Sequence, residues 1–556
     1  MRKLEPFGWL TTVHRGLTTP LLMAVLCALG LVSLLVWPLP LQIDQRTVTG
    51  PFHDGHVWCF WQMKQILMGD AGLQTSGIGW PTTVNVQLIG WAPGILVAPL
   101  QDVIGPVGAY NASLFITTAL NVIFGALLCR SLVAKAGSAA AGGLILALCP
   151  YALDALANGQ VVKLQIWVLI VHLLVVRSCT RGWWRLPLVI PASLMLAFTS
   201  PSLAMALPFA LMALVPTFVM LSPRPKLAIA TGSLSIALTA MSLVGASRYY
   251  DLEPHEMDRS AFFPANVRPG DYDALLEQIA RIDSLFLGGV PQGFHADHIP
   301  YLGIAAVVIA IVCSVRGYPG RLAAWCLIVV GVLLALGPRL ANSAGFVLFD
   351  GQPVALPAAW LEAAEYPVVR SGMYHRFLVL ASVGLAIIVS CGTTRWKRYG
   401  VGLSWAFALV LAADALFQSK ERWPLDTENI PGLASYTEMA SDPEPGAVVI
   451  LPLRINDVGG GTQIMLSTLH ERPTTGLPRY DYWQRSEAPG VLLALFDEAS
   501  EPGVDPEAFL SEAGIRYVLW APWIGHGDGG PDLDVLTTLL GEPRIDGVLR
   551  WWRIAE

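Results

Sequence analysis

The chain has 556 residues, is 54% hydrophobic and only 14% charged, and its mean hydropathy is +0.54. Soluble domains of this length would carry about 25% charged residues, so the composition excludes an ordinary water-soluble enzyme and points to a polytopic membrane protein. The formal net charge of −6, with no basic stripe, argues against nucleic acid as a partner, and the eight cysteines imply neither a zinc site nor a disulfide framework.

In chain order, Arg2, Lys3 and Arg15 precede an apolar run at 21–39. That run contains Trp37 and no small-residue cleavage site, so it reads as an uncleaved first span rather than a signal peptide. Further apolar runs lie at 109–130, 138–156, 162–177, 186–200, 202–221, 227–247, 299–315, 321–337, 375–393 and 399–416. Several fall short of the ~20 residues a straight span needs, so their ends must extend into flanking residues. Residues 90–104 are also apolar, but Pro93 and Pro99 interrupt them, and a re-entrant or surface segment is expected there.

Eleven spans with a cytoplasmic N-terminus are testable by charge. The N-terminal tail and the five loops on the same side then carry fifteen Lys and Arg residues and one acid, Glu5. Basic residues near span ends mark the cytoplasmic side, so residues 130–138 and 394–398 are expected inside and 43–108 and 417–556 outside. The expected organisation is a transmembrane domain over 1–416, with outer loops 42–109, 248–298 and 338–374, followed by a soluble domain over 417–556.

The first outer loop contains the most distinctive polar stretch, 51–69. It opens with His53-Asp54-Gly-His56 and continues as an aromatic and basic run with Trp58, Trp61 and Lys64. A carboxylate just outside a bilayer, beside an interfacial helix, suits a base acting on a lipid-linked substrate. It equally suits a solvated loop acid next to an interfacial anchor. The third outer loop is dense in Arg248, Asp251, Glu253, His255, Glu256 and Asp258, with His295, Asp297 and His298 further on. These read as a solvated charged loop, a partial metal site, or the source of a second carboxylate. Asn111-Ala-Ser matches a glycosylation acceptor but borders a span, which makes a chance match the better reading.

After the last span the pattern changes. Residues 447–453 are a buried-strand candidate after the turn Pro443-Glu-Pro-Gly. Residues 506–513 read as a helix leading through Gly514 into a strand at 515–520, with a helix at 533–540 and a last strand at 548–554. That order predicts a small α/β extracytoplasmic domain. The fold class is therefore an α-helical polytopic membrane protein with a C-terminal α/β domain.

Taken together, several stretches resemble the GT-C class of multi-pass glycosyltransferases, which includes aminoarabinose and protein mannosyl transferases and oligosaccharyltransferases; an uncharacterised bacterial branch is the nearest in pattern. The shared features are Asp54 followed by Trp58 and Trp61, the run Gly90-Trp-Ala-Pro-Gly through Leu100, and Gly105-Pro-Val-Gly-Ala-Tyr-Asn111. Further on come Cys149-Pro-Tyr-Ala-Leu with Asn158-Gly-Gln160, then Val369-Arg-Ser-Gly-Met-Tyr-His-Arg-Phe377, and finally Leu451-Pro-Leu and Gly514-Ile-Arg-Tyr-Val-Leu. The resemblance implies a GT-C fold and transfer of a sugar from a polyprenyl-phosphate-linked donor on the outer face, with Asp54 as base. The chain departs from the class in two places. His53 and His56 flank Asp54 where many members have paired acids, and Gly159-Gln160 stands where a second acid or a Gly-His pair is common.

The remaining site candidates follow from their chemistry. His53 and His56 either tune Asp54 or join it in binding a divalent cation, the one cofactor these residues suggest. Arg370, His375 and Arg376 stand at the outer entrance of the tenth span, where arginine forks suit a donor phosphate or an interfacial anchor. Lys163 and Gln160 join the same pocket or simply snorkel. Within the spans His172 is the marked exception, readable as a packed core residue. No phosphate-binding Gly-Lys loop is present, which disfavours an ATP-driven pump. The expected function is a glycosyltransferase of the cell (inner) membrane whose partners are a polyprenyl-phosphate sugar, membrane lipids and a glycan, lipid or protein acceptor. The rivals are a catalytically silent scaffold or lipid-binding protein of surface-polysaccharide assembly, and a lipid-linked sugar transporter.

Overall fold

The fold is described from a computed structural model covering residues 17–554 except 49–52, 73, 76, 78–83, 86–89, 133, 158, 160, 250–279, 288–300, 343–344, 364–373, 397, 420–422, 431–432, 452–458, 476–487 and 522–530. The chain divides into two compact units. One is built from the N-terminal helix, Leu114–Ser247 and Phe263–Leu425; the other is built chiefly from Pro38–Ser113 and Asp426–Glu556.

The first unit is helical. Among the described residues seven helices are long and apolar enough to cross a membrane: Thr18–Leu35, Trp91–Ser131, Ala136–Ala157, Pro201–Met220, Pro225–Gly245, Tyr374–Thr394 and Gly400–Gln418. Shorter apolar helices lie at Ile166–Cys179, Trp183–Thr199, Ile304–Ser314 and Arg321–Ala335. The chain is a multi-pass membrane protein. An 18-residue helix is about 27 Å long, close to the hydrocarbon thickness of a bilayer.

Helix Leu378–Thr394 is the centre of this unit. Every residue from Leu378 to Thr393 is buried, as expected for a helix apolar on all sides. It packs against Arg321–Ala335 and Ala136–Leu148. Small residues set those distances. A Cβ on Gly384 would collide with the Ala324 carbonyl, and one on Gly142 with Ser390 Oγ, so helix Leu378–Thr394 approaches both neighbours closely. Helix Thr18–Leu35 is peripheral. It buries only Ala24, Ala28, Val32 and Leu35, while Leu22, Met23, Leu26 and Leu34 are exposed. In water such a face would be an aggregation liability; in a bilayer it is the lipid-facing side.

Residues 90–104, expected as a re-entrant or surface segment, are helical over Trp91–Val97 and continue through a 3-10 turn, Ala98–Leu100, into helix Gln101–Ser131. The path bends at Gly105, whose φ of 70° and ψ of 170° are tolerated because the residue has no Cβ; Pro106 follows without a donor to restore the ladder.

The second unit carries a four-stranded sheet in the order Arg544–Asp546, Leu549–Arg553, Ile515–Trp520, Ala447–Leu451. Ile515–Trp520 pairs parallel with Ala447–Leu451 and antiparallel with Leu549–Arg553. Helices Pro506–Glu512 and Leu533–Leu540 help close a core of Val449, Leu451, Leu492, Phe496, Val518 and Trp552. Asp505 and Asp532 cap those two helices through their side-chain oxygens. Strand Arg46–Val48 pairs antiparallel with Thr427–Asn429, and buried Asn111 donates to the Ile43 and Arg46 carbonyls at 2.7 and 2.8 Å. Asn111 is therefore a structural clamp, which agrees with a chance match to the glycosylation pattern.

The stretch expected to lie at a membrane interface is the helix His53–Met68, buried over much of its length and exposed at Leu67 and Met68. Val57, Trp58, Cys59, Phe60 and Met63 are all buried, and the helix packs against Gly459–His470 from the far end of the chain. A run of aromatic and mixed polar residues suits a lipid headgroup layer and a protein core equally well, and only the partner helix separates the two.

Candidate functional site

A charged, largely buried site in the membrane unit arises where a span breaks. Pro150 forces Cys149 out of the helical region, to ψ 156°, because a residue before proline clashes in the α conformation. A new short helix, Pro150–Ala157, starts at once with proline in its favoured first position. Gly159 then adopts φ 65°, and the chain restarts as Val161–Leu164 and again as Ile166–Cys179.

Such breaks free backbone groups that a bilayer cannot solvate, and polar side chains satisfy them here. Asn121 Nδ2 donates to the Leu164 carbonyl at 2.9 Å, and its Oδ1 accepts from the Trp167 N–H at 2.8 Å. Gln165 Nε2 donates to the Val161 carbonyl at 3.0 Å, and its Oε1 accepts from Trp167 Nε1 at 2.7 Å.

Two of the short pieces carry opposite charges. Lys163, on Val161–Leu164, has a side chain 0% exposed and lies 3.2 Å from Asp154 Oδ2, whose side chain is 7% exposed. Lys163 therefore does not snorkel. Taking an ammonium out of water costs several kcal/mol, and the nearby carboxylate is what makes the burial tolerable. Arg376, on the 3-10 turn Tyr374–Phe377 that leads into the central helix, interacts electrostatically with Asp154 and with Tyr151. Its Nε has no hydrogen-bond partner among the described residues. Among the described residues the cluster holds two cations, Lys163 and Arg376, around one carboxylate and one phenol. Cations held inside a helix bundle, beside broken helix ends, are an arrangement suited to an anion.

Beyond Asp154 runs a narrow cleft lined by Pro150, Leu153, Asp154, Tyr301, Gln418 and Trp423. Tyr301 donates to Asp414 Oδ2 at 2.8 Å, and Trp423 Nε1 donates to Ser419 Oγ at 2.7 Å. Sequence reasoning singled out Lys163 and Arg376 but passed over Asp154, Tyr151 and Asp414. The available signal was an acid inside an apolar run, which is costly there and retained for a reason.

In the second unit, His53 is fully buried with Nδ1 2.6 Å from Tyr110 Oη, and the two rings meet edge to face at 5.8 Å. His56 is buried, Trp58 is 1% exposed, and Trp61 is half-buried. Asp54 is the second residue of helix His53–Met68; its side chain lies outside the described residues. So do Arg370, Gln160 and the third-loop residues Asp251 to Asp258 and His295 to His298, while His375 is buried beside Arg376. Among the described residues no three His, Cys, Asp or Glu side chains gather in a way that could hold a metal ion.

No protein-family model matches the sequence, and no curated protein matches it. Similar solved structures exist at low identity. One is the Archaeoglobus fulgidus oligosaccharyltransferase in the apo form, with 12% identity, a TM-score of 0.47, and coverage of 90% of this chain and 69% of that one. The same protein in complex with Zn and sulfate aligns with 12% identity, a TM-score of 0.41, and coverage of 89% and 67%. A mutant of arabinofuranosyltransferase AftD from Mycobacteria aligns with 17% identity and a TM-score of 0.38; the alignment covers 96% of this chain but 41% of that longer one. Likeness at this level carries no function across.

Proposed function

We propose that the protein is a membrane glycosyltransferase that takes a sugar from a polyprenyl-phosphate-linked donor and passes it to a glycan, lipid or protein acceptor on the outer face of the cell membrane. The observation that carries this reading is the Lys163–Asp154–Arg376 cluster, a buried anion-attracting site among broken spans. In the proposed reaction an acceptor hydroxyl or amine attacks the anomeric carbon. The bond from that carbon to the phosphate oxygen breaks, and its electron pair leaves with the phosphate. Cations fixed beside the departing oxygen stabilise the charge that develops there. Lys163 and Arg376 take that role, with Arg370, His375, Gln160, Trp58 and Trp61 as further substrate-binding candidates.

Asp54 is the proposed base that receives the acceptor's proton, with His53 and His56 as its neighbours and a divalent cation as its companion. Eleven spans, a cytoplasmic N-terminus and an extracytoplasmic C-terminal domain belong to the same proposal. The second reading, a catalytically silent lipid-binding scaffold, draws support from His53, whose Nδ1 is engaged with Tyr110 in the core rather than turned to solvent.

The test uses the full chain in nanodiscs with a polyprenyl phosphate. Arg376→Lys removes the planar fork and is expected to weaken binding about ten-fold. Asp54→Asn is expected to leave binding intact and to slow transfer about 10²–10⁴-fold. Unchanged binding in Arg376→Lys refutes the donor-phosphate role, and full transfer activity in Asp54→Asn removes the base assignment.

A further inference from the structure

A second concentration of positive charge lies in the membrane unit, away from the broken span. It is formed by the loop after helix Ile166–Cys179 and the loop between Pro201–Met220 and Pro225–Tyr249. Arg177 Nη2 donates to the Leu221 carbonyl at 3.2 Å, and Ser222 Oγ donates to the Thr180 carbonyl at 3.3 Å, so the two loops adjoin. Between them they carry Arg177, Arg181, Arg185, Arg224 and Lys226, and residues 177–188 and 221–226 contain no Asp or Glu.

Among the described residues Arg177 and Arg185 are held by neutral groups alone. Arg177 Nη1 donates to Thr180 Oγ1 at 3.0 Å, and Arg185 Nη1 to the Ser178 carbonyl at 3.3 Å. Arg177 lies 5.8 Å from the Phe218 ring centroid, and Arg185 lies 4.7 Å from that of Trp184. Arg181 is within electrostatic reach of both. Orienting the chain in a membrane requires only basic residues near span ends. It does not require two nearly buried arginines held in place by carbonyl, hydroxyl and aromatic partners, close enough to repel a third. Such an arrangement suits an anion. Beside it Trp183 is 70% exposed, Leu188 48% and Ile190 52%, an apolar rim that suits the boundary between headgroups and acyl chains.

We propose that these two loops bind the phosphate headgroup of an anionic phospholipid, with Arg181, Arg224 and Lys226 meeting the phosphate and the Trp183–Ile190 rim resting among the acyl chains. Basic pockets between spans recognise such headgroups, each cation contributing about a five-fold gain in binding.

The experiment measures binding of phosphatidylglycerol and of phosphatidylcholine to the full-length protein in neutral detergent, by native mass spectrometry, with and without inorganic phosphate. Arg181, Arg224 and Lys226 are exposed, so replacing them by Gln should leave folding intact, which intrinsic fluorescence checks. The expected result is preferential retention of phosphatidylglycerol, weakened about five-fold by Arg181→Gln and at least 25-fold by Arg181→Gln with Arg224→Gln, and unaffected by inorganic phosphate. Unchanged retention in the double variant overturns the proposal. So does an equal loss in a control variant carrying Arg316→Gln and Arg398→Gln, since the effect would then be general charge. Displacement by equimolar inorganic phosphate would make this a free-phosphate site and overturn the lipid assignment.

Discussion

Removing Lys163 tests the membrane-unit cluster most directly. At a separation of 3.2 Å and an effective dielectric of about 20, its attraction to Asp154 is about 5 kcal/mol before desolvation is counted. Lys163→Met leaves the Asp154 carboxylate buried with Arg376 as its remaining described cation, and breaking a buried pair in this way costs about 3–5 kcal/mol. Asp154→Asn is expected to cost a similar amount, because it leaves two cations without their carboxylate. Among the described residues the double variant leaves only Arg376 without its carboxylate, so it should lose much less than the two single losses combined. Unfolding in mixed micelles on titration with a denaturing detergent, followed by tryptophan fluorescence, measures all four proteins. A coupling energy of about 2 kcal/mol or more is expected from the cycle. Additive losses, to within about 0.5 kcal/mol, would show that the pair does not act as a pair and would refute the electrostatic account. Asp154→Asn should also gain more stability from added polyprenyl phosphate than the unmodified protein, since the ligand phosphate then has no carboxylate competing for Lys163 and Arg376.

Two further outcomes follow from the second unit and from the charge pattern. His470 is fully buried, accepts the Arg472 N–H at its Nδ1 at 3.1 Å, and is pushed down to about 3 by burial and by the charge of Arg472. Between pH 6.5 and 3 the unfolded chain therefore binds the extra proton, so stability is full above pH 6.5 and falls on acidification by up to about 1.4 kcal/mol per pH unit. Denaturation midpoints measured from pH 8 to 4 should show this slope, and His470→Gln should flatten it. Asp442 acts with the same sign at lower pH. Burial alone would raise it, but hydrogen bonds from Tyr517 and Arg516 and the charges of Arg516 and Arg553 hold it below its ordinary value. Finally, Lys135→Cys and Asp534→Cys should react with impermeant thiol reagents from opposite sides of the membrane; labelling from one side would remove the eleven-span arrangement.

Much of the local structure was legible because it depends on neighbours in sequence. The strand at Ala447–Leu451, the helix–strand pair Pro506–Glu512 and Ile515–Trp520, and the last helix and strand fall where periodicity and turn residues placed them. The cluster was less legible. Lys163 could be read either as a pocket residue or as a snorkelling lysine, because its length and position at a span end fit both. Its burial depends on Pro150 and Gly159 redirecting the chain and on Asp154 being carried to it, a geometry that hydropathy does not encode.

The sequence by itself determined that this chain lives in a membrane, which segments are apolar enough to enter it, and on which segment ends the basic residues collect. Each of these follows from the free energy of transferring individual side chains, a quantity that needs no partner. Tertiary structure alone decided that His53–Met68 is a core helix packed on Gly459–His470, and that Arg376 shares Asp154 with Lys163. Burial of a mixed-polarity helix and pairing of distant charges are properties of two surfaces at once, and one-half of each lies far along the chain.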